Sequence, residues 1–409
     1  MDITRFLDNP ISAWIFAESF LNDGSPSGYG PGPDVESSFL PTSGHLFGLH
    51  VLLSDRDEAL TRCGDGRVNV DKDDAHNYLC IHPQHYRRLK QHQRAREFRE
   101  TQVFARATSS VRTVWVFDEG SPYLFVKLHF PARIGRFARE VRLHSWLSSL
   151  ENSRLVASGL SEKSLTVPRG FAYLPEAGGS YLETDGMIEG FGHIERLIKP
   201  LPYRNNNCLI LPYFSLWATE SIRSSAGTVL RQVIDVFAFD YVSCLEHFVR
   251  PLIEGYKFLA LDVGLIPECN AQNVLWEFDQ ESRTSRAVHR DLMGMFKDRE
   301  FGMVKHADKY PLNTYHTIGD NRGTDTQERR SFAFDFKLSE YILDPLTQEL
   351  ASVFQKPLQK CREEARTYVS EIIQWPEGYF PRTGIAYGYP RESRVGRDRY
   401  VQLGYPKYR

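Results

Sequence analysis

Between Ser109 and Pro131 the chain reads SSVRTVWVF, DEGSP, YLFVKLHFP: two runs rich in β-branched and aromatic residues around a short polar break. Such a pair folds as a β-hairpin, which commits this part of the chain to an antiparallel sheet. In the second run Leu124, Val126, Leu128 and Phe130 share one face by the two-residue period. Lys127 then points the other way, with Tyr123, Phe125 and His129. In the first run Ser110 and Arg112 share a face. The turn length leaves either Arg112 or Thr113 opposite Lys127. With Arg112 there, two cations would lie side by side, which costs free energy unless an anion such as a phosphate sits between them. The hydroxyls and guanidinium of Ser110, Arg112 and Thr113 suit phosphate or carboxylate oxygens. An ordinary exposed strand face accounts for the same residues equally well.

Helix and strand patterns mix on both sides, so the fold class is α+β. The first 20 residues have helical spacing (Ile3, Leu7, Ile11, Trp14, Ile15), with Pro10 as a break. Asn22 to Gly44 is rich in Gly, Ser and Pro and forms a long loop, either a linker or a lid over a ligand. NYLCIHPQHYRRLKQHQ reads as a strand, a turn at His82-Pro83 and a basic helix. RFAREVRLHSWLSSL predicts a helix with Arg139 near its start. Val229 to Leu259 is largely helical around a break or new start at Pro251. GLIPECNAQNVLWEFD and RAVHRDLMGMF follow as a loop and two strands, and FKLSEYILDPLTQELASVFQK and CREEARTYVSEIIQ return to helix. The tail from Tyr387 mixes aromatic and basic residues without apolar period, which predicts packing against a domain or second subunit rather than RNA contact.

At 409 residues the chain can hold two or more packed subdomains. Fifty Lys and Arg against 52 Asp and Glu argue against a dedicated nucleic-acid binder. Any anionic ligand must therefore be met by locally placed cations. Six scattered cysteines without a Cys-x-x-Cys pair suggest reduced thiols and a cytoplasmic setting. Asp2 and Asp8 make the start a poor signal peptide, and no uncharged apolar run approaches ~18 residues, so no membrane span is expected.

VHRDLMG, Val288 to Gly294, carries the His-Arg-Asp of protein-kinase catalytic loops. The kinase reading fails on three counts. Phe296 stands where a metal-holding Asn is needed five residues after the Asp. GYGPGPD has prolines where phosphate-cradling amides belong, and FDFKLSE has Lys337 in place of the glycine of Asp-Phe-Gly. What remains is an oxygen-rich set. Glu268, Asn273 and Asp291 offer carboxylate and amide oxygens of the kind Mg²⁺ takes beside substrate phosphates. A polar turn with capping roles is the competing account.

Taken in order, the segments resemble the siderophore synthetases that act without a peptide-synthetase assembly line, the aerobactin-synthetase-like family. IHPQH (Ile81 to His85) looks like its His-Pro-Trp-Gln segment, and ATSSVRTVW matches its Ser-x-Arg-Thr motif. KLHFPARIGRFAR is similar to its Lys strand and following Arg, here Lys127 and Arg139. GLIPECNAQNVL matches Gly-Ile-x-x-Glu-x-His-x-Gln-Asn, and HRDLMG matches Arg-Asp-x-x-Gly. The resemblance is strongest from about Asn77 to Phe296.

It implies a cupped hand of fingers, palm and thumb. Residues 1–75 would be a shortened N-terminal region, 76–200 a fingers-like subdomain and 201–409 a palm- and thumb-like one. It also implies an ATP-dependent ligase that adenylates a carboxylic acid, citrate-like or an amino acid, and passes it to an amine or alcohol. By position, Ser110, Arg112, Thr113 and Lys127 would contact ATP phosphates. Asn270, Asn273 and Asp291 would complete the nucleotide site, and Glu268, Asn273 and Asp291 would hold Mg²⁺. His82, His85 and Arg139 would hold the carboxylate, with Arg112, Lys127, Arg139 and Asn270 acting in catalysis. A homodimer is common in the family. The chain departs from it in carrying Asn270 where the family has His, Gln84-His85 for Trp-Gln, and a shorter length. A non-catalytic nucleotide- or carboxylate-binding homologue is the alternative reading, ahead of a small-molecule phosphotransferase.

Overall fold

The computed structural model describes residues 2–23, 34–54, 60–65, 68–69, 77–89, 99–134, 137–182, 191–204, 207–218, 227–306, 316–319, 325–388 and 399–409. Helix α1 (Pro10–Phe20) starts at the proline expected to break it. Asn9 caps it by accepting the Ser12 N–H at 3.3 Å, and Pro10 takes the first helical position, where a missing N–H costs nothing. Residues 24–33 of the Gly/Pro-rich loop lie outside the described residues. From Ser37 to Ser43 that loop holds two short 3₁₀ turns.

The strands then run β1 (Phe47–Ser54), β2 (Thr61–Gly64), β3 (Asn77–Ile81), helix α2 (Pro83–Leu89), β4 (Arg99–Ala107), β5 (Thr113–Asp118) and β6 (Ser121–Leu128). β7 (Phe130–Ile134) pairs with β8 (Phe137–Arg139), and helix α3 (Leu143–Ser161) follows. After β9 (Phe171–Tyr173) come β10 (Glu176–Leu182) and β11 (Phe191–Leu197). Among the described residues the large sheet has eight strands, ordered β2-β10-β11-β6-β5-β4-β1-β3 and antiparallel throughout. It curls until edge strand β3 meets β11: the Cys80 N–H donates to His193 at 3.2 Å, and the Tyr78 hydroxyl donates to Glu195. The sheet draws β1 and β2 from before position 75 and β3 onward from after it.

The β5–β6 hairpin turns on Glu119 and Gly120, both at positive φ (48° and 81°), the two-residue geometry whose twist matches its strands. Leu124, Val126 and Leu128 pack into the core with Val114 and Val116. β5 begins only at Thr113. Ser110 and Arg112 therefore belong to a turn before the strand instead of sharing a strand face, and Thr113 is the residue opposite Lys127. Arg139 sits on β8, ahead of the helix the sequence suggested, because α3 begins at Leu143.

A second sheet joins β9 to β12 (Cys208–Pro212), β14 (Val274–Asp279) and β15 (Thr284–His289) in the order β12-β14-β15-β9. A short β13 (Leu265–Ile266) lies before β14, and β16 (Phe296–Asp298) and β17 (Thr317–Ile318) pair beside it. Helix α1 is wedged between the two sheets. Trp14 packs edge-on against Trp115 at 4.9 Å and Phe125 at 5.3 Å, with Leu275 and Val288 in the same cluster. The helical part carries the largest core among the described residues, which runs from Leu209 to Tyr408 and takes in Ile3, Ala13, Ala17 and Leu21 of the N-terminal segment. Its helix Phe332–Leu343 is wound with π-type bonds and runs directly into Asp344–Val353. The tail ends against that helix, as its composition suggested. Tyr408 is buried with its hydroxyl 3.0 Å from Asp344, and Arg409 pairs with Asp335 at 2.8 Å. Residues 389–398 of the tail lie outside the described residues. No helix among the described residues is long and apolar enough to cross a membrane.

Candidate active site

The turn from Thr108 to Thr113 is closed by its own hydrogen bonds. The Val111 N–H donates to the Thr108 carbonyl at 2.9 Å, and the Thr113 N–H donates to Ser110 Oγ at 3.1 Å. Val111 pays for the tightness with φ 64°, a region β-branched residues rarely enter, and burying its side chain against Phe130 and Ile134 holds it there. The Arg112 guanidinium is threaded through the fold to donate to the Arg139 carbonyl at 2.7 Å. Burial draws it down to about 10, against the pull of Asp291.

Lys127 is only 1% exposed, and its ammonium bonds the Asp291 carboxylate. Asp291 follows β15 in a left-handed conformation (φ 65°) that turns its side chain back toward β6 and β11. Arg196 of β11 stands 3.5 Å from the same carboxylate while pairing with buried Glu176 at 2.7 Å. Burial pushes Asp291 up, but Lys127, Arg196 and Arg112 outweigh it and hold the carboxyl well below its usual range. For Lys127 burial wins, and the ammonium is drawn down to about 8 despite Asp291.

Across from this pair lies the loop between β13 and β14. Asn270 Oδ1 accepts the N–H groups of Gln272 and Asn273, each at 3.0 Å, so its oxygen builds the turn and its NH₂ is what it offers the cavity. The Asn273 amide donates to the Glu268 carbonyl at 3.2 Å. The Glu268 carboxylate meets Lys337 of the π-wound helix at 2.8 Å. Gly294 leaves it room: a Cβ there would lie 2.6 Å from Glu268 Oε2.

These parts enclose a cavity of about 870 Å³. Ser110, Arg112, Thr113, Lys127, Arg139, Glu268, Asn270, Asn273 and Asp291 all line it, so the structure brings together nearly every residue singled out from the sequence. His82 and His85 stand apart. His82 is 0% exposed, boxed by Phe39, Phe47 and Phe130, and burial draws its imidazole down to about 3. The His85 ring packs on Phe130 at 4.4 Å. Neither lines the cavity.

Four further cations on the lining have no site role in the sequence reading: Arg142, Arg196, Arg290 and Lys337. Arg196 follows Glu195 on β11, Arg290 lies inside the His-Arg-Asp run, and Arg142 and Lys337 lie in segments whose spacing assigns them no ligand. With Arg112, Lys127 and Arg139 they make seven Lys or Arg among the described lining residues, against Glu268 and Asp291. A chain of net charge −2 thus concentrates positive charge in one cavity, as binding two anions together requires.

The fold around this cavity is shared with solved structures of two aerobactin synthetases and a petrobactin biosynthesis protein. The petrobactin biosynthesis protein AsbB of Bacillus anthracis str. Sterne superposes with TM-score 0.68 at 15% identity, over 88% of this chain and 66% of its own. The ATP-bound aerobactin synthetase IucA from a hypervirulent Klebsiella pneumoniae gives 0.66 at 14%, over 90% and 72%. IucC from the same source gives 0.65 at 14%, over 84% and 66%. The chain therefore spans about two thirds of the length of AsbB and IucC. Residues 38–216 match the IucA / IucC family. No curated protein sequence matches the chain.

Proposed function

We propose that the chain is an ATP-dependent ligase that adenylates a carboxylic acid and condenses it with an amine or alcohol, in siderophore or related natural-product biosynthesis. The observation that carries this reading is the cavity that collects seven cations, a hydroxyl-bearing turn and two carboxylates in one place. A carboxylate is a poor electrophile, and adenylation gives it a leaving group. One carboxylate oxygen bonds the α-phosphorus as pyrophosphate departs. The acceptor nitrogen or oxygen then bonds the carbonyl carbon as AMP departs.

The chain's own groups serve each need. Ser110, Arg112, Thr113 and Lys127 donate to phosphate oxygens, and Arg139 with Arg142 holds the carboxylate. Bringing two anions to reacting distance is the main barrier, so preorganised positive charge supplies much of the rate. Glu268, Asn273 and Asp291 would hold Mg²⁺. The donor set fits, being all oxygen, with both carboxylates opening on the cavity and Gly294 leaving Glu268 space. Bound there, the ion would neutralise phosphate charge. Reduced thiols and ATP use accord with a cytoplasmic setting.

Calorimetry with MgATP tests the nucleotide part. Binding that requires Mg²⁺ and weakens in Arg112→Ala supports the reading. Absence of binding by the intact chain would refute it.

A further inference from the structure

Helix α1 belongs to no motif of the resemblance, yet it places a fully buried carboxylate against the cavity wall. Glu18 is 0% exposed, and it is divided between two neighbours that line the cavity. Its Oε2 accepts the Ser109 N–H at 3.2 Å and the Ser109 hydroxyl at 2.6 Å. Its Oε1 meets Arg290 at 2.5 Å and accepts from Trp14 Nε1 at 3.3 Å. Gln272 closes the circuit, donating to Ser109 Oγ at 3.3 Å while its carbonyl accepts from Arg290 at 2.8 Å. The turn before β5 and the residue before Asp291 therefore meet at one side chain, from a helix some ninety residues upstream of the nearest, and the β13–β14 loop bridges the two through Gln272.

We propose that Glu18 is a positioning residue for the cavity's oxyanion site. It fixes the Thr108–Thr113 turn and aims Arg290, and the aromatic wedge of Trp14, Trp115 and Phe125 fixes Glu18 itself. The inference rests on the cavity binding phosphate oxygens, as in the reading above. A carboxylate behind a cationic cavity has two opposed effects. Its charge weakens anion binding, whereas its hydrogen bonds hold the donors in place. Substitutions separate them. Glu18→Asp keeps the charge but withdraws the oxygens by one methylene, so one carboxylate no longer reaches both Ser109 and Arg290. Glu18→Gln keeps an acceptor for Ser109 and turns an NH₂ toward Arg290.

The test is calorimetric titration of the intact chain with inorganic tripolyphosphate, which needs neither acid nor acceptor, alongside the thermal unfolding midpoint. Positioning predicts that Glu18→Asp weakens binding roughly tenfold with the midpoint near wild type, the scale of one charge-assisted hydrogen bond. Glu18→Gln should weaken it too. Unchanged binding in Glu18→Asp with tighter binding in Glu18→Gln would mean a purely electrostatic role and overturn the proposal. If both variants fail to fold, Ser109→Ala, which removes the hydroxyl's contacts with Glu18 and Gln272 and keeps the backbone N–H bond, decides: weaker binding upholds it and unchanged binding overturns it. A wild type that binds tripolyphosphate but never activates an acid would defeat the ligase reading and leave Glu18's role standing.

Discussion

Replacing Lys127 with Met keeps most of the side-chain volume and removes the charge, so it isolates the Lys127–Asp291 pair. Breaking a fully buried pair by deleting one partner costs about 3–5 kcal/mol, because the other charge is left uncompensated. Here the Asp291 side chain is 29% exposed and keeps Arg196 at 3.5 Å. Both features soften the loss, and about 2–3 kcal/mol is expected. Adding Asp291→Asn removes the stranded charge, and Asn tolerates the left-handed backbone there at least as well as Asp. The double variant should recover most of the lost stability, a coupling of about 2 kcal/mol. Urea unfolding of the ligand-free chain measures it. On the proposed ligase reading activity should not recover with stability, because the cation proposed to meet phosphate is absent in both variants, and each should lose about 10²–10³ in rate. Lys127→Met as stable as wild type, or a double variant no better than the single one, would refute the pairing.

Three more expectations concern the same site. Lys127 is drawn down to about 8 from an ordinary 10.5, chiefly by burial. It is charged below that value, so MgATP affinity should fall as pH rises through about 8, while the unfolded chain, still protonated up to 10.5, makes this group's contribution to stability rise over the same window. Lys127→Arg should move the affinity limb to higher pH. His82→Leu should leave the KM for the carboxylic acid unchanged; a clear rise would show that His82 reaches the substrate after all. Asn270→Asp keeps the acceptor that builds its turn, whereas Asn270→Ala strands two N–H groups and should cost about 1–2 kcal/mol, read from unfolding midpoints.

What could be read from the sequence was whatever local period or spacing carries. The β5–β6 hairpin, the direction of Lys127 and the grouping of Glu268, Asn273 and Asp291 all belong to that class. The turn at Ser109–Arg112 is hidden in a β-rich run because nothing in such a run announces the φ of 64° at Val111. Arg139 reads as helical because the apolar spacing of RFAREVRLHSWL continues across the short strand β8 into α3. Arg196 and Glu18 were invisible for a different reason. Their partners, Asp291 and Ser109, lie some 95 and 91 residues away, and only the curled sheet and the wedged helix bring them close. His82 carried a motif's expectation into a position that turned out to be an aromatic box.

Magnesium-dependent exchange of labelled pyrophosphate into ATP, over a panel of citrate, other polyacids and amino acids, tests the central claim most directly. Exchange that depends on one acid, and is lost in Arg112→Ala and Lys127→Met, is the result expected of an adenylating ligase. A wild-type chain that binds MgATP yet exchanges with no acid, in the presence or absence of amines, would contradict it and make the cavity a binding site without chemistry.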